Sequence, residues 1–290
     1  MNIRISRSAI GALALTFSSG AVTALPAFAQ QSAPGVSSES VPVMAFSDLA
    51  DLATAAPMVA IVEVKKASRL DPERTGPVKA GWARAYVEAE TKTLLAGKAA
   101  IGGKVKYLAD IKLDARGKMP RIRKQTMVVF ARPVAGRVDE LQLVAPDAQV
   151  PLAYAGEARV RALLAEIVSA DAAPEVTGVR DAYHTPGNLA GEGETQIFLK
   201  TANGDPASIA VVRRPNGPPR WGLSTGELVD IEATPPAPNT LAWYRLACAL
   251  PAQLPASAQI ATDPSLRQAA ARDYALVVQQ LGQCGRQRVF

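Results

Sequence analysis

His184 is the single histidine of the chain, set in Asp181-Ala182-Tyr183-His184-Thr185-Pro186-Gly187. An imidazole titrates near neutral pH and suits proton transfer. Asp181 would be the carboxylate that orients it in a Ser-His-Asp arrangement. No G-x-S-x-G elbow supplies the serine. His184 and Asp181 are therefore the catalytic candidates of a hydrolase reading, and the competing reading is a histidine in a turn at a strand end. Two carboxylate pairs also occur. Glu88 and Glu90 alternate along a strand and share a face, while Glu192 and Glu194 flank Gly193 in a Gly-rich stretch read as a mobile, solvated loop. A glycoside hydrolase needs two carboxylates across a cleft and usually aromatic platforms. Aromatic residues make up only 5% of this chain, which argues against one.

Metal and phosphate chemistry have little support. One histidine and two distant cysteines do not make a zinc site, and no H-E-x-x-H occurs. Asn203-Gly204-Asp205 is too short for a calcium loop and reads as a hairpin turn. No G-x-x-x-x-G-K-[ST] phosphate loop and no S-x-x-K motif is present. The expectation is no cofactor and no metal.

Charge supplies the clearest cluster. Arg116, Lys118, Arg121, Arg123 and Lys124 place five cations within nine residues, between two strand candidates. Such a loop would attract a polyanion. Only Trp82, Tyr86, Tyr107 and Phe130 lie nearby to stack on bases, and the export signal argues against nucleic acid. An acidic envelope protein or an anionic envelope polymer fits better. The plain alternative is a solvated basic loop without a ligand. Cys248 and Cys284, the two cysteines, are expected to form a disulfide, since an even pair in an exported protein reads that way.

Export is read from the N-terminus. Arg4 and Arg7 precede an apolar stretch from Ala9 to Leu25, and Ala27-Phe28-Ala29 is a cleavage site of the A-x-A type. The expected mature chain starts at Gln30 and is periplasmic or secreted. Losing Arg4 and Arg7 leaves 30 cations against 26 anions, a mild +4. The apolar stretch is shorter than a span and interrupted by Ser18-Ser19-Gly20, and no later segment is long enough to cross a bilayer. The terminal Phe290 resembles the end of an outer-membrane barrel, but Arg286 and Arg288 hold the alternating positions before it. A content of 48% hydrophobic and 20% charged residues indicates a folded chain with a real core.

The elements that would position these residues follow from periodicity. Residues 30–42 are small, polar and Pro-bearing, a flexible mature N-terminus. Ser47 reads as the cap of a short helix stopped by Pro57. Strands are expected over Met58–Val64, Trp82–Leu95, Lys104–Leu113, Thr126–Ala131 and Val138–Val144; in the second, Ala83, Ala85, Val87 and Ala89 fall on one face. An amphipathic helix over Ala158–Ala170 closes a first domain, 43–170, at the Ala172-Ala173-Pro174 boundary. The second domain, 174–290, opens as an antiparallel meander: Val176–Tyr183, Thr195–Thr201, Ala207–Arg213 and a strand within Trp221–Ile231. Pro235-Pro236-Ala237-Pro238 is a stiff connector. Asn239 or Thr240 caps a first terminal helix, and Asp263-Pro264 opens a second, whose apolar stripe is expected to run through Cys284. Trp221 and Trp243 are expected in the core.

Residues 46–168 resemble the OB-like barrels of the netrin/TIMP type. The resemblance rests on Phe46–Val64, on the long strand ending Thr93-Leu94-Leu95-Ala96-Gly97-Lys98, and on Met127–Arg132 with Glu140–Val144. It implies a binding scaffold. In that family the metalloprotease inhibitors chelate zinc through an N-terminal cysteine; Gln30 stands at the expected mature N-terminus here, so that activity is not carried over. The chain is thus read as α+β, an OB-like β-barrel followed by a β-meander with two C-terminal helices. The expected function is a non-catalytic envelope binding or interaction module, with a periplasmic hydrolase using His184 and Asp181 as the alternative.

Overall fold

A computed structural model describes residues 43–226 and 233–288. The signal segment 1–29, the mature N-terminus 30–42 and part of the strand expected within Trp221–Ile231 lie outside the described residues. Strands β1 (Met58–Arg69), β2 (Trp82–Ala96), β3 (Lys104–Lys112), β4 (Thr126–Val134) and β5 (Arg137–Leu143) form a closed barrel in the order β1-β2-β3-β5-β4, with β4 returning to β1. All neighbours are antiparallel except β3 and β5, which meet in parallel at Lys106 and Glu140. This is the OB-like topology expected for the first half.

Period-two burial explains the barrel. Along β2, Ala83, Ala85, Val87 and Ala89 point inward; along β3, Val105, Tyr107, Ala109 and Ile111 do. In β4 the run Met127–Ala131 is buried throughout, because one side fills the barrel and the other lies under helices. The small alanines of β2 let a long strand curl, and irregularities in β1 at Val59/Ala60, Ile61/Val62 and Val64/Lys66 bend its partner to match. A short strand, β6 (Gln149–Pro151), adds to β4.

Helix α1 (Phe46–Ala55) starts earlier than the expected Ser47 cap: Ala45 takes the N-cap position, and the Leu49 N–H bonds its carbonyl at 3.1 Å. Ser47 is instead buried within the first turn. A single turn, α2 (Pro72–Thr75), follows β1. Another turn, α3 (Leu152–Ala155), leads into α4 (Glu157–Val168), which buries Val160, Leu163 and Leu164.

The second sheet is an antiparallel meander, β7 (Val176–Pro186), β8 (Gly193–Thr201), β9 (Ser208–Arg213) and β10 (Arg220–Ser224), in that spatial order. Helix α5 (Leu241–Ala247) is capped by the Thr240 hydroxyl, which accepts from the Trp243 N–H. Helix α6 (Pro264–Leu281) is capped by the Asp263 carboxylate, accepting from the Ser265 N–H. Cys248 and Cys284 are disulfide-bonded. The bridge does not join two helix faces as expected. Gly282 ends α6 at φ +73, a left-handed C-cap that glycine adopts without a Cβ penalty, so Cys284 lies in the tail beyond it.

Trp221 and Trp243 are core residues, their indole N–H groups donating to the Gln280 side chain and the Leu281 carbonyl. One continuous apolar cluster takes in the barrel, α1, α4, the second sheet, α5 and α6. The tail adds polar bonds to the same join. Asp48 accepts the backbone N–H groups of Gln287 and Arg288 at 3.0 Å each, and Asp51 takes Arg286 and the Tyr244 hydroxyl.

Candidate functional site

The basic loop connects β3 to β4 and has its own hydrogen-bonded framework. The Asp114 carboxylate accepts the backbone N–H groups of Arg116 at 2.9 Å and Lys118 at 2.8 Å, folding the tip into a tight turn around Gly117. At the base, the Lys124 N–H donates to Val64 at 2.7 Å and the Val64 N–H donates to Gln125 at 3.0 Å. Between these clamps Ile122 is buried and Met119 packs on the core. The alternation sends Arg121 and Arg123 outward. Arg116, Lys118, Arg121, Arg123 and Lys124 are all exposed, so the structure brings the five predicted residues together on one ordered loop.

The loop differs from the rest of the barrel surface in its charge balance. Elsewhere on the barrel several cations sit on carboxylates, although among the described residues Arg69, Lys98, Lys104, Lys112 and Arg132 do not. Lys65 reaches Glu63 at 2.5 Å and Glu90 at 2.6 Å, Lys92 reaches the same two acids, and Lys66 reaches Glu88 at 3.3 Å. Their hydrogen bonds with the acids raise the Lys65 ammonium above its ordinary range and lower the Glu63 and Glu90 carboxyls. Arg84 grips Asp110 through two bonds, and Lys106 reaches Asp139 at 3.2 Å. Glu88 and Glu90 are thereby each paired with lysines. None of the five loop cations has a side-chain ion pair among the described residues. Beside the loop lies a groove of about 520 Å³, with Lys65, Lys66 and Ala67 on one wall and Met119 to Arg123 on the other.

His184 sits in a different environment. It lies on β7 with its side chain only 10% exposed. Its Nδ1 is 2.8 Å from the Thr195 hydroxyl and 3.6 Å from Asp273 Oδ2, and the Thr195 hydroxyl donates to that same carboxylate oxygen. A hydroxyl that spends its proton on Asp273 must accept from His184, which places a proton on Nδ1. Arg213 Nε completes the set, donating to Asp273 Oδ1 at 2.5 Å. Thr195 is fully buried and Asp273 is 1% exposed, so neither oxygen meets a substrate. Asp181 is not part of this group. It is three strand positions away, paired with Phe198 where His184 pairs with Thr195, and its carboxylate takes Arg180 at 2.9 Å.

The Glu192 carboxylate is also committed. It accepts the backbone N–H groups of Asn188 and Leu189 at 3.1 and 3.3 Å, closing the β7–β8 turn, so the stretch expected to be mobile is cross-bonded. Glu194 accepts from Gln196. Among the described residues, no group of three His, Cys, Asp or Glu side chains is placed to hold a metal ion.

Asp273, Thr195 and Arg213 were invisible as a group in the sequence. The one signal was Asp273 itself, an acid beside Tyr274 on the apolar stripe of α6. Among the described residues no helix is long and apolar enough to cross a membrane. No protein family matches the chain, and no curated protein does. The barrel order is that of OB-like folds in general, and the netrin/TIMP resemblance rests on the sequence pattern alone.

Proposed function

We propose that this protein is an exported, non-catalytic binding module of the cell envelope, and that it captures an acidic partner on the loop Arg116–Lys124. The observation that carries the reading is the charge density: five exposed cations within nine residues, none with a side-chain ion pair among the described residues. A loop clamped at both ends loses little entropy on binding, which favours a contact surface over a mere solvated excursion. Export is supported by the N-terminal signal pattern and by the Cys248–Cys284 bridge, a bond that persists in oxidising compartments. The hydrolase alternative has weaker support, since Asp181 faces away from His184 and the hydroxyl nearest the imidazole is buried.

Native co-purification tests the reading. Full-length protein tagged at its C-terminus is recovered from the envelope after mild crosslinking, alongside Arg121→Glu/Arg123→Glu/Lys124→Glu and a control, Arg267→Glu/Arg272→Glu, on the exposed side of α6. A companion lost from the loop variant and kept by the control supports the proposal. Equal recovery from all three overturns it.

A further inference from the structure

The groove beside the loop contains an unpaired sheet edge. Strand β4 bonds β1 only over Met58–Glu63. Val64 then exchanges backbone hydrogen bonds with Lys124 and Gln125, after which the loop swings away. From Lys66 to Arg69, β1 is bonded through β2 alone among the described residues. Lys66 and Ala67 of this stretch, with Lys65, line the groove across from Met119–Arg123, and Ser68 and Arg69 continue the same edge beyond it. Barrels normally remove such edges, and an open one is a template for another strand. The open stretch, with Lys65 included, spans about 16 Å at ~3.3 Å per residue, enough for a short extended peptide.

The groove walls specify the peptide. Arg121 and Arg123 stand two residues apart and outward, with the buried Ile122 between them. Lys65 and Lys66 line the opposite wall, already paired with Glu63, Glu90 and Glu88, so the charge in the groove without an ion pair is that of Arg121 and Arg123. Ala67 and Met119 supply half-buried apolar floor. A strand with acids on one face and apolar side chains on the other meets both features, because successive side chains point to opposite faces. A phosphate or a sulfated glycan would use the cations but leave the backbone edge and the apolar floor without a partner.

We infer that the partner is recognised through an extended acidic–apolar peptide segment that adds as a strand to the open edge of β1 at Lys66–Arg69, held by Arg121 and Arg123. This rests on the binding-module reading and narrows it from charge capture to strand addition.

The test uses the full mature chain and two fluorescein-labelled hexapeptides that alternate Glu and Val. One has ordinary amides; the other is N-methylated at alternate positions on the edge that would bond β1. Charge and side chains are the same in both. Anisotropy titrations are run on the wild type and on Arg121→Glu/Arg123→Glu, whose fold is checked by circular dichroism. The inference expects saturable binding of the ordinary peptide, about tenfold weaker binding of the N-methylated one, and loss of both on charge reversal. Equal binding of the two peptides, abolished by charge reversal, overturns strand addition and leaves the acidic-partner surface standing. Heparin binding without peptide binding also overturns it, in favour of an anionic polymer. No binding of any probe, or binding indifferent to charge reversal, overturns both.

Discussion

His184 and Asp273 approach to 3.6 Å between Nδ1 and Oδ2, across the contact of β7 with α6, with the Thr195 hydroxyl bonded to each. The relationship is structural: it fastens the last long helix to the second sheet through groups that are nearly all buried. A carboxylate at 1% exposure survives only because Arg213 and Thr195 satisfy it.

Removing that carboxylate should therefore cost stability. Asp273→Ala strands the partly exposed Arg213 and leaves the Thr195 hydroxyl without its acceptor. The expected loss is about 3 kcal/mol, read from the midpoint of urea denaturation at unchanged slope. A loss below about 0.5 kcal/mol, the range of neutral surface changes, would contradict a fastening role.

Gly193 is tied to the same imidazole. A Cβ at that position would lie 2.7 Å from His184 Cε1 and Nε2, and 3.1 Å from the Thr185 carbonyl. Gly193→Ala should destabilise the protein, because the ring is held at Nδ1 by the Thr195 hydroxyl and moving it breaks that bond. Much of the cost should vanish in the His184→Ala background. A double-mutant cycle measures the coupling; simple additivity would show that the clash with the backbone carbonyl dominates.

The disulfide closes a loop of sequence separation 36. The chain-entropy account assigns roughly 3–4 kcal/mol to such a closure. Cys248→Ser/Cys284→Ser should lose about that much in thermal or urea unfolding, and the Gln287 and Arg288 backbone N–H groups bonded to Asp48 should exchange their hydrogens faster.

Three phenols give the protein an alkaline limit. Burial pushes up the Tyr107 and Tyr274 hydroxyls, and burial with the Asp51 hydrogen bond pushes Tyr244 up to about 12. A raised folded-state pKa stabilises the native form fully below the unfolded value near 10 and is lost as pH rises through the folded value. Stability should thus decline from about pH 10 upward. Tyr244→Phe should flatten part of that decline, as measured by urea midpoints across the range.

The sequence disclosed most of the barrel because its signal is local. Ala83, Ala85, Val87 and Ala89 alternate strictly, and alternation has one structural meaning. The basic loop was legible for the same reason, its five cations being neighbours in the chain. Its groove was not. Lys65–Ala67 becomes the facing wall only when the barrel closes, about 55 residues of chain away. Asp273 was hidden likewise, since an acid on a helix reads as solvated until the strands carrying Thr195 and Arg213, 78 and 60 residues distant, pack against it. Cys284 is a different case. Gly282 marked the helix end in the sequence, and the apolar stripe was extended past it.

The central claim concerns which surface touches a partner, and site-specific photo-crosslinking reads that most directly. A benzophenone amino acid replaces Lys118 in one version of the chain and Gln268 on α6 in another, both exposed positions. Each is irradiated in intact cells with and without Arg121→Glu/Arg123→Glu. The account predicts a discrete higher-mass adduct from position 118, absent from 268 and lost on charge reversal. Adducts from 268 alone, or adducts at 118 that survive charge reversal unchanged, would contradict it.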